Sequence, residues 1–216
     1  MMEKSPQKIV IVGNGEDWQK DKIIYFCREA DYLIAADNGL ALLHKFKLTP
    51  HLIIGDLDSV SSTLLPQYSN IPVERYPGKK DFPDSELGIQ KAISMNPQEI
   101  TLLAVTGNYF DHSYAVIVNL FRYYQEDIKI KIITSNSVIF PITRKISLTH
   151  LKGRRFSLFP LSPVKNISMT GAQYQFPRKN LKVTDYSLSN VVVQEKLEIN
   201  LERGMLFCVL FDKGFR

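Results

Sequence analysis

Cysteine is scarce in this chain: Cys27 and Cys208 are the only two in 216 residues. Each lies in an apolar segment, "IIYFCREA" and "GMLFCVLF", so two buried thiols in a reducing compartment are expected rather than a disulfide framework or a metal site. Tryptophan is scarcer, with Trp18 alone. Any aromatic stacking far from the N-terminus must therefore come from Tyr or Phe. The four histidines, His44, His51, His112 and His150, show no spacing of a zinc site. Long apolar runs are missing too, none approaching the ~18 residues of a membrane-spanning helix. The opening "MMEKSPQKIVIVGNG" has an apolar run of only Ile9 to Val12, which is not the organisation of a signal peptide. A cytoplasmic protein that engages no membrane is expected. Dense basic stretches are also absent. Lys and Arg number 27 against 22 acids, a net charge of +5, but the clusters are pairs such as Lys79-Lys80 and Arg154-Arg155. Nucleic acid is not the expected partner.

What is present is enough apolar residue for a core, with hydrophobic content of 44% and aromatic content of 11%. Residues 8–134 alternate aliphatic runs with helix-length segments. The strand candidates are "KIVIVG" (8–13), "YLIAA" (32–36), "HLIIG" (51–55), "EITLLAVTG" (99–107) and "IKIKIIT" (128–134). Between them "DWQKDKIIYFCREA", "NGLALLHKFKL", "DSELGIQKAISM" and "DHSYAVIVNLFRYYQE" carry apolar residues at helical spacing. Continuously apolar strands separated by helices imply a parallel sheet covered on both faces. After about residue 137 the helical period disappears. "SVIFPI", "KISL", "RRFSLFPL", "KNISMTG", "VVVQEKLEINL" and "MLFCVLF" are short β-rich runs bounded by turn residues, as in a small sandwich or barrel. The expected fold class is α/β plus all-β: a parallel sheet flanked by helices over 1–137, then a β-sandwich over 138–216.

In open α/β sheets ligands bind beyond the carboxyl ends of the strands. Several acids fall there. Asp37 follows "YLIAA", Asp56 and Asp58 follow "LIIG", and Asp111 follows "LLAVTG". Asp81 and Asp84 lie in "PGKKDFPDSELG", at the start of a helical segment. If "GDLD" continues extended, Asp56 and Asp58 point to one side; Asp81 and Asp84, three apart, share a helical face. Each acid also has a plainer reading: Asp37, Asp81 and Asp111 stand where helix N-caps are expected, with Asp84 as a partner of Asp81. Convergence on one sheet edge favours the functional reading. Carboxylates without Cys or His ligands suit a hard cation such as Mg²⁺, which completes its shell with waters and substrate phosphates. Lys79 and Lys80 beside them would meet phosphate charge. "IVGNGEDW" looks like a phosphate loop only in part, since Trp18 stands where a third glycine would be.

Taken together, "AADNGL" (35–40), "IIGDLDSV" (53–60), "KKDFPDSEL" (79–87), "TGNYFDHSYAVIVNL" (106–120) and "YSLSN" (186–190) resemble, in order and spacing, the motifs of thiamin pyrophosphokinases. The resemblance implies transfer of the pyrophosphoryl group of ATP to the hydroxyl of thiamin, giving thiamin diphosphate and AMP. It also implies an α/β catalytic domain, a C-terminal β-sandwich, a homodimer and Mg²⁺ at the aspartates. Carried over by position, Asp56, Asp58, Asp81 and Asp84 are the expected catalytic acids, with Asp56, Asp58 and Asp84 on the metal. Asp37, Lys80 and Asp111 join Asp56, Asp81 and Asp84 at ATP. Asp111, Ser189 and Asn190 are expected on the thiamin side, where Tyr186 is a candidate stacking ring.

The chain departs from the family pattern. Pro83 stands where Thr is usual, and Asn108 and Tyr109 where Gly and Arg are usual. A cationic contact to phosphate is then missing unless Lys79 or another base supplies it. Two other readings fit the same residues: a Mg²⁺-dependent transferase with a different alcohol acceptor, and a thiamin- or nucleotide-binding module without turnover.

Overall fold

Ile11, Ile34, Ile53, Ile54 and Ile100 are all completely buried, which strands achieve only with helices on both faces of their sheet. The computed structural model describes residues 5–78 and 82–212. They divide into two units, Met1–Ser135 and Asn136–Arg216.

The first unit contains strands β1 (Lys8–Val12), β2 (Tyr32–Ala36), β3 (Leu52–Gly55), β4 (Val73–Arg75), β5 (Glu99–Leu103) and β6 (Lys129–Ile133). Their order is β6-β5-β1-β2-β3-β4, with every neighbouring pair parallel. The chain moves outward from β1 in one direction and returns on the other side through β5. The strand order reverses at β1, a switch point beyond which ligands bind in such sheets; the loops leaving β1 and β5 run side by side there, with Gly13, Gly15 and Asp17 donating their amides to the Leu103, Ala104 and Thr106 carbonyls.

Four helices cover the sheet: α1 (Lys20–Arg28), α2 (Gly39–Lys45), α3 (Asp84–Ser94) and α4 (Phe110–Arg122). α1 buries Ile23 and Cys27, and α3 buries Leu87, Ile89 and Ala92. α2 starts so close to β1 that a Cβ on Gly39 would lie 2.0 Å from the Val12 carbonyl oxygen. Only glycine fits there. Trp18 packs edge-on against Phe46 with centroids 5.6 Å apart, a structural use of the single tryptophan. Among the described residues no helix is long and apolar enough to cross a membrane.

The second unit is antiparallel throughout. One sheet is β12 (Ser187–Val191), β9 (Arg155–Pro160), β14 (Leu206–Phe211) and β7 (Ser137–Ile142) in that order. The other is β11 (Phe176–Leu181), β10 (Val164–Thr170), β13 (Lys196–Asn200) and β8 (Ile146–Thr149). Phe156, Leu158, Leu206 and Cys208 of the first sheet share one buried cluster with Ile167, Met169, Leu197 and Ile199 of the second. That is a β-sandwich.

Three details differ from the sequence reading. "VVVQEKLEINL" is not one strand, because β12 ends at Val191 and the amides of Val193 and Gln194 both turn onto the Gly171 carbonyl. The run 99–107 stops as a strand at Leu103, where Ala104 takes a left-handed φ of 51°. β4 and β11 are strands without an aliphatic signature. Both are edges, and β11 exposes Pro177, Arg178 and Lys179, residues that discourage pairing with another chain.

Candidate active site

β2 and β3 deliver the acids. Beyond β2, Asp37 has φ 50° and donates its amide to the Ile54 carbonyl at 2.8 Å. Its Oδ2 accepts a short hydrogen bond from Ser59 Oγ. Its Oδ1 is buried and accepts no hydrogen bond among the described residues. Gly55, the last residue of β3, has φ 143°, and Leu57 beyond it has φ 63°. Leu57 is 7% exposed, so its side chain anchors the turn while Asp56 and Asp58 face outward. The Asp58 amide donates back to Asp56 Oδ1 at 3.3 Å. "GDLD" is thus a tight left-handed turn, not the extended continuation expected of it, and the two carboxylates meet because Leu57 folds the chain back.

One carboxylate oxygen from each of Asp37, Asp56 and Asp58 lies within 4.8 Å of the others. Such crowding of like charge disfavours the ionised form. The Asp58 carboxyl is pushed above the ordinary carboxylate range by the charge of Asp56 beside it, then by its hydrogen bond with Asp56, by partial desolvation, and by Asp37 and Asp84. Asp84 opens α3 and sits against the same turn, where a Cβ on Gly55 would come within 2.8 Å of Asp84 Oδ1. Sequence reasoning placed Asp37 with the nucleotide rather than with the metal set, and it did not single out Ser59. Asp37, Leu57 and Ala104 all take left-handed backbone at these strand ends, where strain commonly marks a site.

The capping readings do not hold for the acids that can be seen. The N-cap positions of α2, α3 and α4 are Asn38, Pro83 and Tyr109, and none makes a side-chain cap hydrogen bond. Asp111 lies in the first turn of α4, exposed, where its charge suits the helix dipole. Lys79, Lys80 and Asp81 lie outside the described residues.

Two cavities flank Asp84. The first, about 410 Å³, is a crevice beyond the ends of β1, β2 and β5 and is lined by Asn14, Gly15, Asp37, Asp84, Thr106 and Tyr109 among others. The second, about 360 Å³, is lined by Asp56, Gly78, Phe82, Asp84, Asp111 and His112. Pro83, Asp84 and His112 belong to both. The two glycine amides of the loop after β1 are not offered to a phosphate. Gly13 and Gly15 donate their amides to the Leu103 and Ala104 carbonyls at 2.9 and 2.6 Å, leaving neither for an anion. Across the cavity, Ser113 Oγ accepts from the Gly107 amide at 3.1 Å and donates to the Tyr109 carbonyl at 2.9 Å, holding the loop before α4.

In the second unit, Asn190 and Ser189 differ sharply. Asn190 is fully buried; its Oδ1 accepts from the Tyr174 amide at 3.0 Å and its Nδ2 donates to the Tyr174 carbonyl at 2.7 Å. Its amide is committed to holding the main chain at Tyr174, so any effect of Asn190 on a ligand passes through that segment. Ser189 is exposed with φ 54°, its amide donating to Ser157 Oγ at 3.0 Å. Tyr174 and Tyr186 are exposed beside this strand's sequence neighbours at 63% and 66%.

Comparison with known proteins bears on this geometry. Residues 24–132 match the family profile described as thiamin pyrophosphokinase, catalytic domain, and residues 142–206 match thiamin pyrophosphokinase, vitamin B1 binding domain. The chain belongs to the thiamin pyrophosphokinase family. It is 24% identical over 184 residues to the thiamine pyrophosphokinase of Bacillus subtilis, covering 82% of this chain and 85% of that protein. It is 22% identical over 192 residues to thiamine pyrophosphokinase 1 of Arabidopsis thaliana, covering 82% of this chain and 70% of that protein. The crystal structure of the Bacillus subtilis thiamine pyrophosphokinase superposes with a TM-score of 0.84 at 20% identity, over 96% of this chain and 100% of that one. The likeness in fold therefore extends over both units, taken one by one.

For a thiamin pyrophosphokinase, two departures now have a place. Pro83 occupies the N-cap of α3 with φ −70°, immediately before Asp84. Proline leaves the fold undisturbed there because a helix start has no use for its missing N–H. Tyr109, where the family pattern has a cation, is 73% exposed on the wall of the first cavity, its ring 5.7 Å from that of His112.

Proposed function

We propose that this chain makes thiamin diphosphate and AMP from thiamin and ATP, with Mg²⁺ held by Asp56, Asp58 and Asp37 and approached by Asp84. The observation that carries the assignment of this site is the convergence of three carboxylate oxygens within 4.8 Å at the strand ends, in a chain with both family domains. The donor set fits the ion. It is all oxygen and strongly acidic, and it includes one buried carboxylate oxygen of Asp37 that accepts no hydrogen bond among the described residues. When bound, Mg²⁺ supplies charge neutralisation for the phosphate chain and the departing AMP.

The residues of the chain do the positioning. The crevice at the switch point takes the nucleotide; Asp37, Asp56 and Asp58 would hold the ion, with Asp84 beside them. Asp81, Lys80 and Asp111 are assigned to the same site on their sequence positions. Asp111, Ser189 and Asn190 are assigned to thiamin on their sequence positions, Asn190 acting through the Tyr174 segment. The thiamin hydroxyl oxygen bonds to the β-phosphorus, the bond from that phosphorus to the oxygen bridging the α-phosphate breaks, AMP leaves with that oxygen, and the hydroxyl proton is released. Alignment of nucleophile and leaving group accounts for most of the acceleration in such a transfer.

A homodimer is part of this proposal, supported by the motif resemblance and by the exposed Tyr174, Tyr186 and Leu188 of the second unit. Cytoplasmic residence is supported by Cys27 and Cys208, which are free and buried. Incubation with thiamin, ATP and Mg²⁺, with products separated by chromatography, tests the activity. Equimolar AMP and thiamin diphosphate are expected. ADP in place of AMP, or no thiamin-dependent turnover, overturns it.

A further inference from the structure

Glu86 belongs to the motif that carries Asp84, yet it cannot meet a substrate, because it is 3% exposed on the inner side of α3. A carboxylate withdrawn from water is costly unless its lone pairs are matched. Here they are. Oε2 accepts from Asn119 Nδ2 at 2.9 Å, and Oε1 accepts from Arg122 at 3.0 Å and from the Tyr123 hydroxyl at 2.6 Å. The Tyr123 oxygen in turn accepts from Gln90 Nε2 at 2.7 Å. Glu86 and Gln90 are on α3; Asn119 and Arg122 are on α4 and Tyr123 is its C-cap. Asn119 is itself 2% exposed, so its bond to Glu86 is a buried polar connection between the two helices, with Arg122 and Gln90 closing the clamp from the surface.

Both helices contribute to the acidic cavities. Pro83, Asp84 and Ser85 at the start of α3 line the 410 Å³ cavity together with Tyr109, His112 and Ser113 at the start of α4. Asp84 is two residues from Glu86, and rotation or sliding of α3 against α4 moves it relative to Asp56 and Asp58. An apolar contact permits sliding; hydrogen bonds of fixed direction to a charged acceptor do not. We infer that Glu86 is a positioning residue for the nucleotide site, tying the start of α3 to the C-terminal end of α4 and so fixing the placement of Asp84. This inference rests on the reading that the crevice takes Mg²⁺ and ATP.

Glu86→Gln retains size and removes the charge, leaving an N–H₂ group facing one of the donors. The exchange Glu86→Gln with Asn119→Asp restores the match: the residue 86 oxygen still accepts from Arg122 and Tyr123, and its amide donates to the carboxylate now at 119. Binding of Mg²⁺ with α,β-methylene-ATP, whose α–β link cannot be cleaved by transfer, is measured by calorimetry alongside thermal unfolding. Glu86→Gln is expected to weaken binding about tenfold, within the usual range for a residue that acts on a site through its neighbours. The exchange variant is expected to recover most of that loss. Normal binding by Glu86→Gln overturns the inference, as does an exchange variant that folds but binds no better. If the single variant does not fold, the exchange variant decides alone: native affinity supports the clamp and weak affinity overturns it. Weakened and recovered nucleotide binding in a protein that never forms thiamin diphosphate overturns the proposed reaction and leaves the clamp standing.

Discussion

Asp58 shows how one residue couples stability to chemistry. Its raised carboxyl reflects mainly the charge of Asp56. A group that holds its proton more tightly folded than unfolded favours the folded state below its unfolded pKa, and that contribution is lost as pH rises through the folded value. Metal-free Asp58→Asn is therefore expected to be as stable as the parent or slightly more stable at neutral pH, with the difference vanishing as pH falls below the ordinary carboxylate range. Thermal unfolding across pH measures this. Activity should drop by orders of magnitude, and Mg²⁺ should raise the unfolding midpoint of the parent far more than that of the variant. A variant with near-normal turnover would remove Asp58 from the metal site. Gly55→Ala tests the turn itself. With φ at 143° and Asp84 Oδ1 within 2.8 Å of the new Cβ, about 1–3 kcal/mol of destabilisation is expected for the backbone alone, together with loss of turnover; denaturant titration and the AMP assay read the two. The acids were legible in the sequence because strands end where they stand. The inward anchor Leu57 was not, since an alternating Asp-Leu-Asp has the pattern of an extended strand as well as of this turn.

At the scale of elements, β12 carries a strand that does two jobs. Ser189 is exposed while Asn190 is buried and bonded to both main-chain groups of Tyr174. Asn190→Ala leaves those groups without their partner and should cost about 1–3 kcal/mol in urea unfolding. If Asn190 acts on thiamin through the Tyr174 segment, the thiamin Michaelis constant should rise while that of ATP stays within a factor of about two, the usual separation between a lost local contact and an untouched remote one. A rise confined to ATP would refute the assignment. The aliphatic strands β1, β2, β3, β5 and β6 were readable from composition alone, because full burial requires continuous apolar runs. β4 and β11 were not. Edge strands are selected for solubility and against aggregation, so Val73–Arg75 and Phe176–Leu181 carry charge and proline where central strands carry Ile and Val.

On the scale of the whole molecule, each unit holds one cysteine in its interior. Burial pushes the Cys27 thiol up to about 12, and burial likewise raises Cys208, with Arg154 opposing weakly. Neither should react with a disulfide reagent near neutral pH until its own unit opens. Labelling of the two sites during urea unfolding, followed by mass spectrometry, will report the two units separately. Coincident transitions are expected if they unfold as one cooperative body, and two midpoints if each has independent stability. Rapid labelling of either thiol in the native protein would contradict its burial.

By itself the sequence determined the two-part organisation, the parallel sheet, the order of its acids and the family they indicate, because periodicity, burial and strand-end position are local properties of the chain. Tertiary structure alone decided the rest. Asp37 joins Asp56 and Asp58 through pairing of β2 with β3, the glycine loop spends its amides on β5, and Glu86 is a helix clamp rather than a ligand. Each of these depends on which residues distant in sequence come into contact, and hydrogen-bond partners across such distances leave no periodic trace in the chain that supplies them.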